Sequence, residues 1–229
     1  MAISQFLALI ELKPWKTVNM FGDKRNHVTV YTDASCEPVN GELVVKLCYI
    51  ILADSETRGG IATMSSKVLD SMEQKQTFIA DGEALAPLFA IFHEDDILAN
   101  RAVMWFIDNM GILACFCKGS SVVADISCII HASLLAMASL RTCSWYEHVD
   151  SKANIADGGT RKSFEVAEAL GVSLVVKSLP PWPSNTVKAP PRYWLEWLNI
   201  NMSKPPTIAV GRHSEVPNPQ TIAVGRKVQ

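Results

Sequence analysis

The stretch His27-Val-Thr-Val-Tyr-Thr-Asp33-Ala-Ser35 decides how this chain is read. It is rich in β-branched and apolar residues, as a strand of a half-buried sheet would be, and it leads to a carboxylate. Two more runs of this kind follow, Leu43 to Leu52 and Gly60 to Met64, separated by turn formers. Three consecutive strands so spaced predict an antiparallel meander, with Asp33 at the end of its first and central strand. From Glu73 to His93 the period changes, and Phe78, Ile79, Leu85, Leu88, Phe89 and Phe92 recur at helical spacing. Pro87 sits inside this helix. It lacks the N–H that would bond the Glu83 carbonyl, so a loosening is expected there.

Working outward, Ala102-Val-Met-Trp-Phe-Ile107 reads as a fourth strand that runs into Asp108-Asn109. A short helix and then a long one, Ser121 to Leu140, follow; Ile126, Ile129, Ile130, Leu134 and Met137 form the apolar stripe of the long one. Cys143 to Val149 is a fifth strand and Ala153 to Leu170 a final helix. The order βββαβααβα predicts an α/β fold, a five-stranded mixed sheet with helices packed on it.

The chain has 229 residues, 48% of them hydrophobic and 19% charged, with a formal charge of −2. That is one large domain, or an ordinary domain with an appendage, and it excludes a disordered or strongly basic protein. The boundaries expected are an N-terminal extension over 1–25, a globular body over 26–178 and a tail over 179–229. Nine of the twelve prolines fall in the tail. The tail also carries Arg192-Tyr-Trp-Leu-Glu-Trp-Leu198, read as a short helix docking on its own body or a neighbour, and two copies of Thr-Ile-Ala-Val-Gly-Arg at Thr207 and Thr221. The six cysteines form no CxxC pair and are expected to be reduced, mostly buried thiols. No signal-like start is present, and Ser120 to Leu140 carries Asp125, His131 and several serines, so an intracellular protein without a membrane partner is expected. The small net charge hides an asymmetry. Residues 1–178 hold 15 basic against 21 acidic residues, and the tail holds 6 against 2. An acidic body cannot rely on broad phosphate attraction to hold a nucleic acid, so cations or a partner domain must help.

Four acidic residues carry the functional reading. Asp33 and Asp108 end apolar strands, Glu83 lies on the first helix, and Asp157 lies in the first turn or so of the last helix, at spacings of 50, 25 and 49 residues. Only a tertiary fold could unite them. A carboxylate at the end of a strand such as Trp105-Phe-Ile-Asp108 is costly to bury unless it is paired or bound to a cation. Hard oxygen donors, with no His/Cys set at zinc spacing, point to magnesium or manganese. Two such ions about 4 Å apart are the arrangement that activates a water and stabilises the leaving oxygen in phosphodiester cleavage. Asp81 and Asp150 are the rivals of Glu83 and Asp157, and both are expected to stand outside the site. Arg161, one turn after Asp157, could offset the carboxylates or touch a phosphate.

Tyr31-Thr-Asp-Ala-Ser35, Glu83-Ala-Leu-Ala86, Ile107-Asp-Asn109 and Asn154-Ile-Ala-Asp-Gly-Gly-Thr-Arg161, in that strand and helix order, resemble the ribonuclease H domain, especially the form that follows reverse transcriptase in retroelements. The resemblance covers about residues 26–170. It implies a ribonuclease H-like fold and a divalent-metal endonuclease that cuts the RNA strand of an RNA–DNA hybrid. The cofactors it implies are two Mg2+ ions, which Mn2+ can replace. In that family the first-strand aspartate bridges both metals, which falls on Asp33; Glu83 and Asp108 would complete one metal site, and Asp157 would hold the other beside the attacking water. The family's mobile histidine, linked to product release, falls on His148.

The sequence departs from the family in two places. Cys36-Glu-Pro-Val-Asn-Gly41 has one glycine where family members often carry a glycine-rich run, and Cys115 to Ser121 offers only Lys118 where many place a basic segment. With the acidic body, this implies weak affinity for hybrid in isolation and reliance on an adjoining reverse transcriptase domain or polyprotein. Ser35, two residues after Asp33, departs from the DxE of proofreading exonucleases, and Glu83 sets the chain apart from transposases and integrases of the same fold. The competing expectation is a catalytically weak or inactive scaffold of retroelement descent, with the tail as its binding part.

Overall fold

The computed structural model describes residues 25–179, apart from residues 55, 74, 75 and 162. The expectations for the N-terminal extension, the Trp-containing segment and the repeat lie outside the described residues.

Among the described residues six strands form one sheet: β1 (His27–Val39), β2 (Glu42–Ala53), β3 (Thr57–Thr63), β4 (Ala102–Ile107), β5 (Cys143–His148) and β6 (Leu174–Val176), in the order β5-β4-β1-β2-β3-β6. The meander is as expected, with β1–β2 and β2–β3 antiparallel, while β4, β5 and β6 join by parallel pairing. This is the ribonuclease H-like arrangement, with one strand more than the five expected. β6 is only three residues long and follows Gly171, and no local pattern in the sequence distinguishes it from a loop. Its pairing with β3, more than a hundred residues earlier in the chain, is what makes it a strand.

β1 does not stop at Asp33. It runs on to Val39 and turns through Asn40-Gly41, whose φ angles of 53° and 87° suit a two-residue hairpin, into β2. β4 pairs with β1 only as far as Tyr31↔Phe106, so Asp33 lies in a strand that continues past the end of its parallel neighbour.

Helices cover both faces. α1 (Ser66–Asp70), α2 (Ile79–His93), α3 (Asp95–Leu98), α4 (Met110–Lys118) and α5 (Ala124–Ser139) lead to one core, in which Val28, Val30, Leu47 and Trp105 from the sheet meet Leu85, Leu88 and Phe89 of α2 and Ile129 and Ile130 of α5. On the opposite face lie α6 (Asp157–Arg161) and α7 (Glu165–Ala169), where Ala156, Ala167 and Val172 build a smaller core with Cys48 and Ile50. The alternation of Leu47 and Tyr49 with Cys48 and Ile50 shows β2 buried on both sides.

Several helix limits differ from those expected. α2 begins at Ile79, not Glu73, and runs through Pro87, which leaves the Glu83 carbonyl without its helical donor. α5 begins at Ala124 rather than Ser121, after the turn in which the Ser121 hydroxyl accepts from the Val123 N–H. The final helix expected over Ala153–Leu170 is three pieces: a 3-10 turn at Ser151–Ala153, α6 and α7. All six cysteines are free thiols, and of these only Cys48 is buried, because the others lie on helix faces and strand ends that the two cores leave partly open.

A buried charge ties β6 to the body. The Glu94 carboxylate is 1% exposed and accepts from the Tyr49 hydroxyl at 2.5 Å, from Arg58 at 2.9 Å and from Lys177, the residue after β6. Burial alone would raise the pKa of this group, but its three donors hold it below the ordinary range. The His93 ring bonds the Ser178 carbonyl at 2.7 Å, so this histidine is satisfied structurally. Glu94→Ala would leave the Lys177 ammonium and the Tyr49 hydroxyl facing an apolar gap, while Arg58 keeps its pairs with Glu56 and Asp96. It should cost about 3 kcal/mol in urea denaturation, and the amides of Leu174–Val176 should exchange with deuterium ahead of the rest of the sheet. Equal protection of all six strands in that variant would contradict the role given to Glu94.

Candidate metal centre

Asp33 and Asp108 each lie two residues beyond the last β1–β4 pair, Tyr31↔Phe106, so the parallel register delivers both carboxylates to the same end of the sheet. The corner after Asp108 is fixed locally, because the Asn109 side chain caps α4 by accepting from the backbone N–H groups of Gly111 and Ile112 at 3.1 and 3.2 Å. Glu83 reaches the site from α2, and its Oε1 accepts from the Ala34 backbone N–H at 3.4 Å. One carboxylate oxygen from each of Asp33, Glu83 and Asp108 lies within 4.8 Å of the other two.

Asp33 and Glu83 are 3% and 4% exposed. Burial foremost, and then the charges of Asp108 and Asp157, push the Asp33 carboxyl up to about 7 against the pull of a hydrogen bond from Thr160. Burial and the neighbouring charges of Asp33 and Asp108 push Glu83 up to about 9. Glu83 Oε2 is buried with no hydrogen-bond partner among the described residues. An orphaned carboxylate oxygen beside two more carboxylates is a donor set that fits a hard divalent cation, and the residues present meet that requirement.

Asp157 opens α6, a separate helix rather than the early part of one running from Ala153 to Leu170. Its charge acts on both Asp33 and Glu83, but it stands outside the close group of three, and its Oδ1 accepts from Arg161 Nε at 2.6 Å. α6 is held against the sheet by Asn154, whose Nδ2 donates to the Thr32 carbonyl at 3.0 Å, and by Thr160, whose hydroxyl lies 2.5 Å from Asp33 Oδ2. Gly159 permits this approach, since a Cβ there would meet Cys48 Sγ at 2.3 Å. His148 ends β5 opposite Ile107, one residue from Asp108 in register, and is exposed. Asp81 is buried on α2, and Glu83, not Asp81, joins the group of three. Asp150 lies between β5 and the 3-10 turn and is likewise not part of that group.

Thr160 is the site residue that motif reading passes over. The signal is present in Asp157-Gly-Gly-Thr160, an i,i+3 pair that shares one helix face.

No protein-family profile matches the chain, and no curated protein matches it. Among solved structures, the chain is similar to RNase H1 from the halophilic archaeon Halobacterium salinarum, at 12% identity over 61% of this chain and 98% of that one, TM-score 0.42. It is also similar to the N-terminal RNase H domain of a Mycobacterium tuberculosis protein, at 13% identity over 64% and 99%, TM-score 0.41. A third, LC9-RNase H1, described as a type 1 RNase H with the type 2 active-site motif, matches at 13% identity over 75% and 99%, TM-score 0.38. Strand order and register, rather than these superpositions, define the fold.

The raised carboxyls have a consequence for stability. Without a divalent cation, the folded state keeps protons on Asp33 to about pH 7 and on Glu83 to about pH 9, whereas their ordinary values are 3.8 and 4.5. Between those limits the native state binds more protons than the unfolded chain, so stability falls as pH rises. In EDTA the urea midpoint should drop between about pH 5 and pH 9, and Asp33→Asn with Glu83→Gln should flatten the slope. A midpoint that rises over that range, or one that the double substitution leaves equally steep, would contradict the burial of these charges.

Proposed function

We propose that the chain is a divalent-metal-dependent endonuclease that hydrolyses the RNA strand of RNA–DNA hybrids. The observation that carries this is the convergence of Asp33, Glu83 and Asp108 from three separate elements, with oxygens within 4.8 Å and two of the three carboxylates buried. A fold that needed no ion would gain nothing from this cluster and would lose stability to its repulsion.

Bound Mg2+, or Mn2+ in its place, would activate water and neutralise charge on the scissile phosphate. Asp33, Glu83 and Asp108 would hold one ion, and Asp33 with Asp157 would hold the second. Glu83 would contribute the oxygen that no donor among the described residues occupies, and the Ala34 N–H fixes its other one. Arg161 holds the Asp157 carboxylate at the rim and adds a cation where phosphate would approach. His148, exposed at the end of β5, would contact the product as it leaves. Distinguishing RNA from DNA requires contact with the 2′-hydroxyl.

The retroelement-associated form of ribonuclease H is the reading that best accounts for the acidic body. Only Lys118 lies in the segment from Cys115 to Ser121, so hybrid affinity would come largely from an adjoining reverse transcriptase domain. Fusing such a domain in cis should lower the apparent KM for hybrid, and an unchanged KM would count against that partner.

The decisive assay is cleavage of an end-labelled RNA–DNA hybrid in Mg2+ and in Mn2+. Cutting confined to the RNA strand, absent in EDTA and reduced at least about 10²-fold by Asp33→Asn and by Asp157→Asn, is the expected result. Intact hybrid in both metals at high protein concentration would favour a scaffold that has kept the fold.

A further inference from the structure

We propose that Thr160 is a positioning residue for the metal centre, setting which way the Asp33 carboxylate faces and locking Asp157 to it. The inference rests on the metal-centre reading above. Thr160 is fully buried, and its hydroxyl faces the site. Its hydroxyl lies 2.5 Å from Asp33 Oδ2 and 2.9 Å from the Asp157 carbonyl. Its own carbonyl accepts from the Ser35 hydroxyl at 3.4 Å and from Lys46 Nζ at 3.5 Å.

One residue on α6 therefore touches both strands of the central hairpin and the backbone of Asp157. A hydroxyl carries one proton, and once a bound cation has ionised Asp33, its carboxylate is the stronger of the two acceptors. The bond to Oδ2 fixes the side-chain torsions of Asp33 and leaves Oδ1 as the oxygen with no Thr160 contact. Because α6 begins at Asp157, the same bond sets the distance between the Asp157 carboxylate and the other three. Asn154, bonded to the Thr32 carbonyl, provides the second anchor. Two anchors, one on each side of Asp157, are needed because α6 is five residues long and cannot hold its own orientation. Groups that orient a ligand from behind typically change metal affinity by about 10–100-fold when removed.

Valine matches threonine in shape and lacks the hydroxyl; serine keeps it. The test is Mn2+ titration of the full chain, followed by the shift in Tm, for wild type, Thr160→Val and Thr160→Ser. The expected result is a Mn2+ midpoint at least about tenfold higher in Thr160→Val and near wild type in Thr160→Ser, whatever the two substitutions do to Tm without metal. A Thr160→Val protein that is less stable but has the wild-type midpoint would overturn the positioning role and leave the metal centre standing. A wild-type protein whose Tm does not respond to Mn2+ would overturn the metal centre and this proposal with it. Thr160→Val that has no folded baseline is replaced by Thr160→Ala, read by the same midpoint and the same criteria.

Discussion

Three carboxylates with oxygens within 4.8 Å of one another repel, and the repulsion grows as water is removed from around them. Two of the three are buried, and the carboxyls of Asp33 and Glu83 rise to about 7 and about 9 in response. Much of the architecture is organised so that this unfavourable arrangement persists. β1 is gripped on one side by twelve residue pairs of the β2 hairpin and on the other by β4. α2, which brings Glu83, is buried along eleven of its residues, so it cannot swing the charge out to solvent. The cluster is imposed by packing, and cations are the natural way to relieve it.

Two buried carboxylate groups against the sheet are treated differently. At the β3–β6 side, Glu94 is also buried, but three donors surround it and its carboxyl stays below the ordinary range. At the β1–β4 side the buried carboxylates have few donors among the described residues: one backbone N–H for Glu83 and one hydroxyl for Asp33. Identical chemistry in similar burial thus ends in opposite states of satisfaction. The first is a finished structural pair; the second is short of positive charge. That contrast within one molecule distinguishes a binding site from a buried structural charge.

Most of this was legible in the sequence. Strand composition and the switch to helical period gave β1 to β5, α2, α4 and α5, because each is carried by many apolar residues; α1 and α3, five and four residues long, hold too little period to be expected. β6 was not, since three residues after Gly171 hold no period and gain their strand character only from β3. The final helix reads as continuous because Asn154, Asp157 and Arg161 lie at helical spacing; the N–H of Ser163 bonds back to the Gly158 carbonyl at 2.8 Å, and a new helix starts at Glu165. Asp33, Glu83 and Asp108 were legible as costly carboxylates on apolar elements. Their meeting point depends on the two-residue offset past Tyr31↔Phe106, which is a property of the register. Thr160 was written in the last motif, but a hydroxyl one turn from an aspartate has meaning only when the strand it faces is known.

The account turns on whether cations occupy the space between Asp33, Glu83 and Asp108. Crystals grown with Mn2+ and measured at the manganese absorption edge would locate the ion by anomalous scattering. The account predicts an anomalous peak with carboxylate oxygens from all three residues in its coordination shell, and its loss in Asp33→Asn. The same three side chains ordered with no peak between them, at millimolar Mn2+, would contradict it.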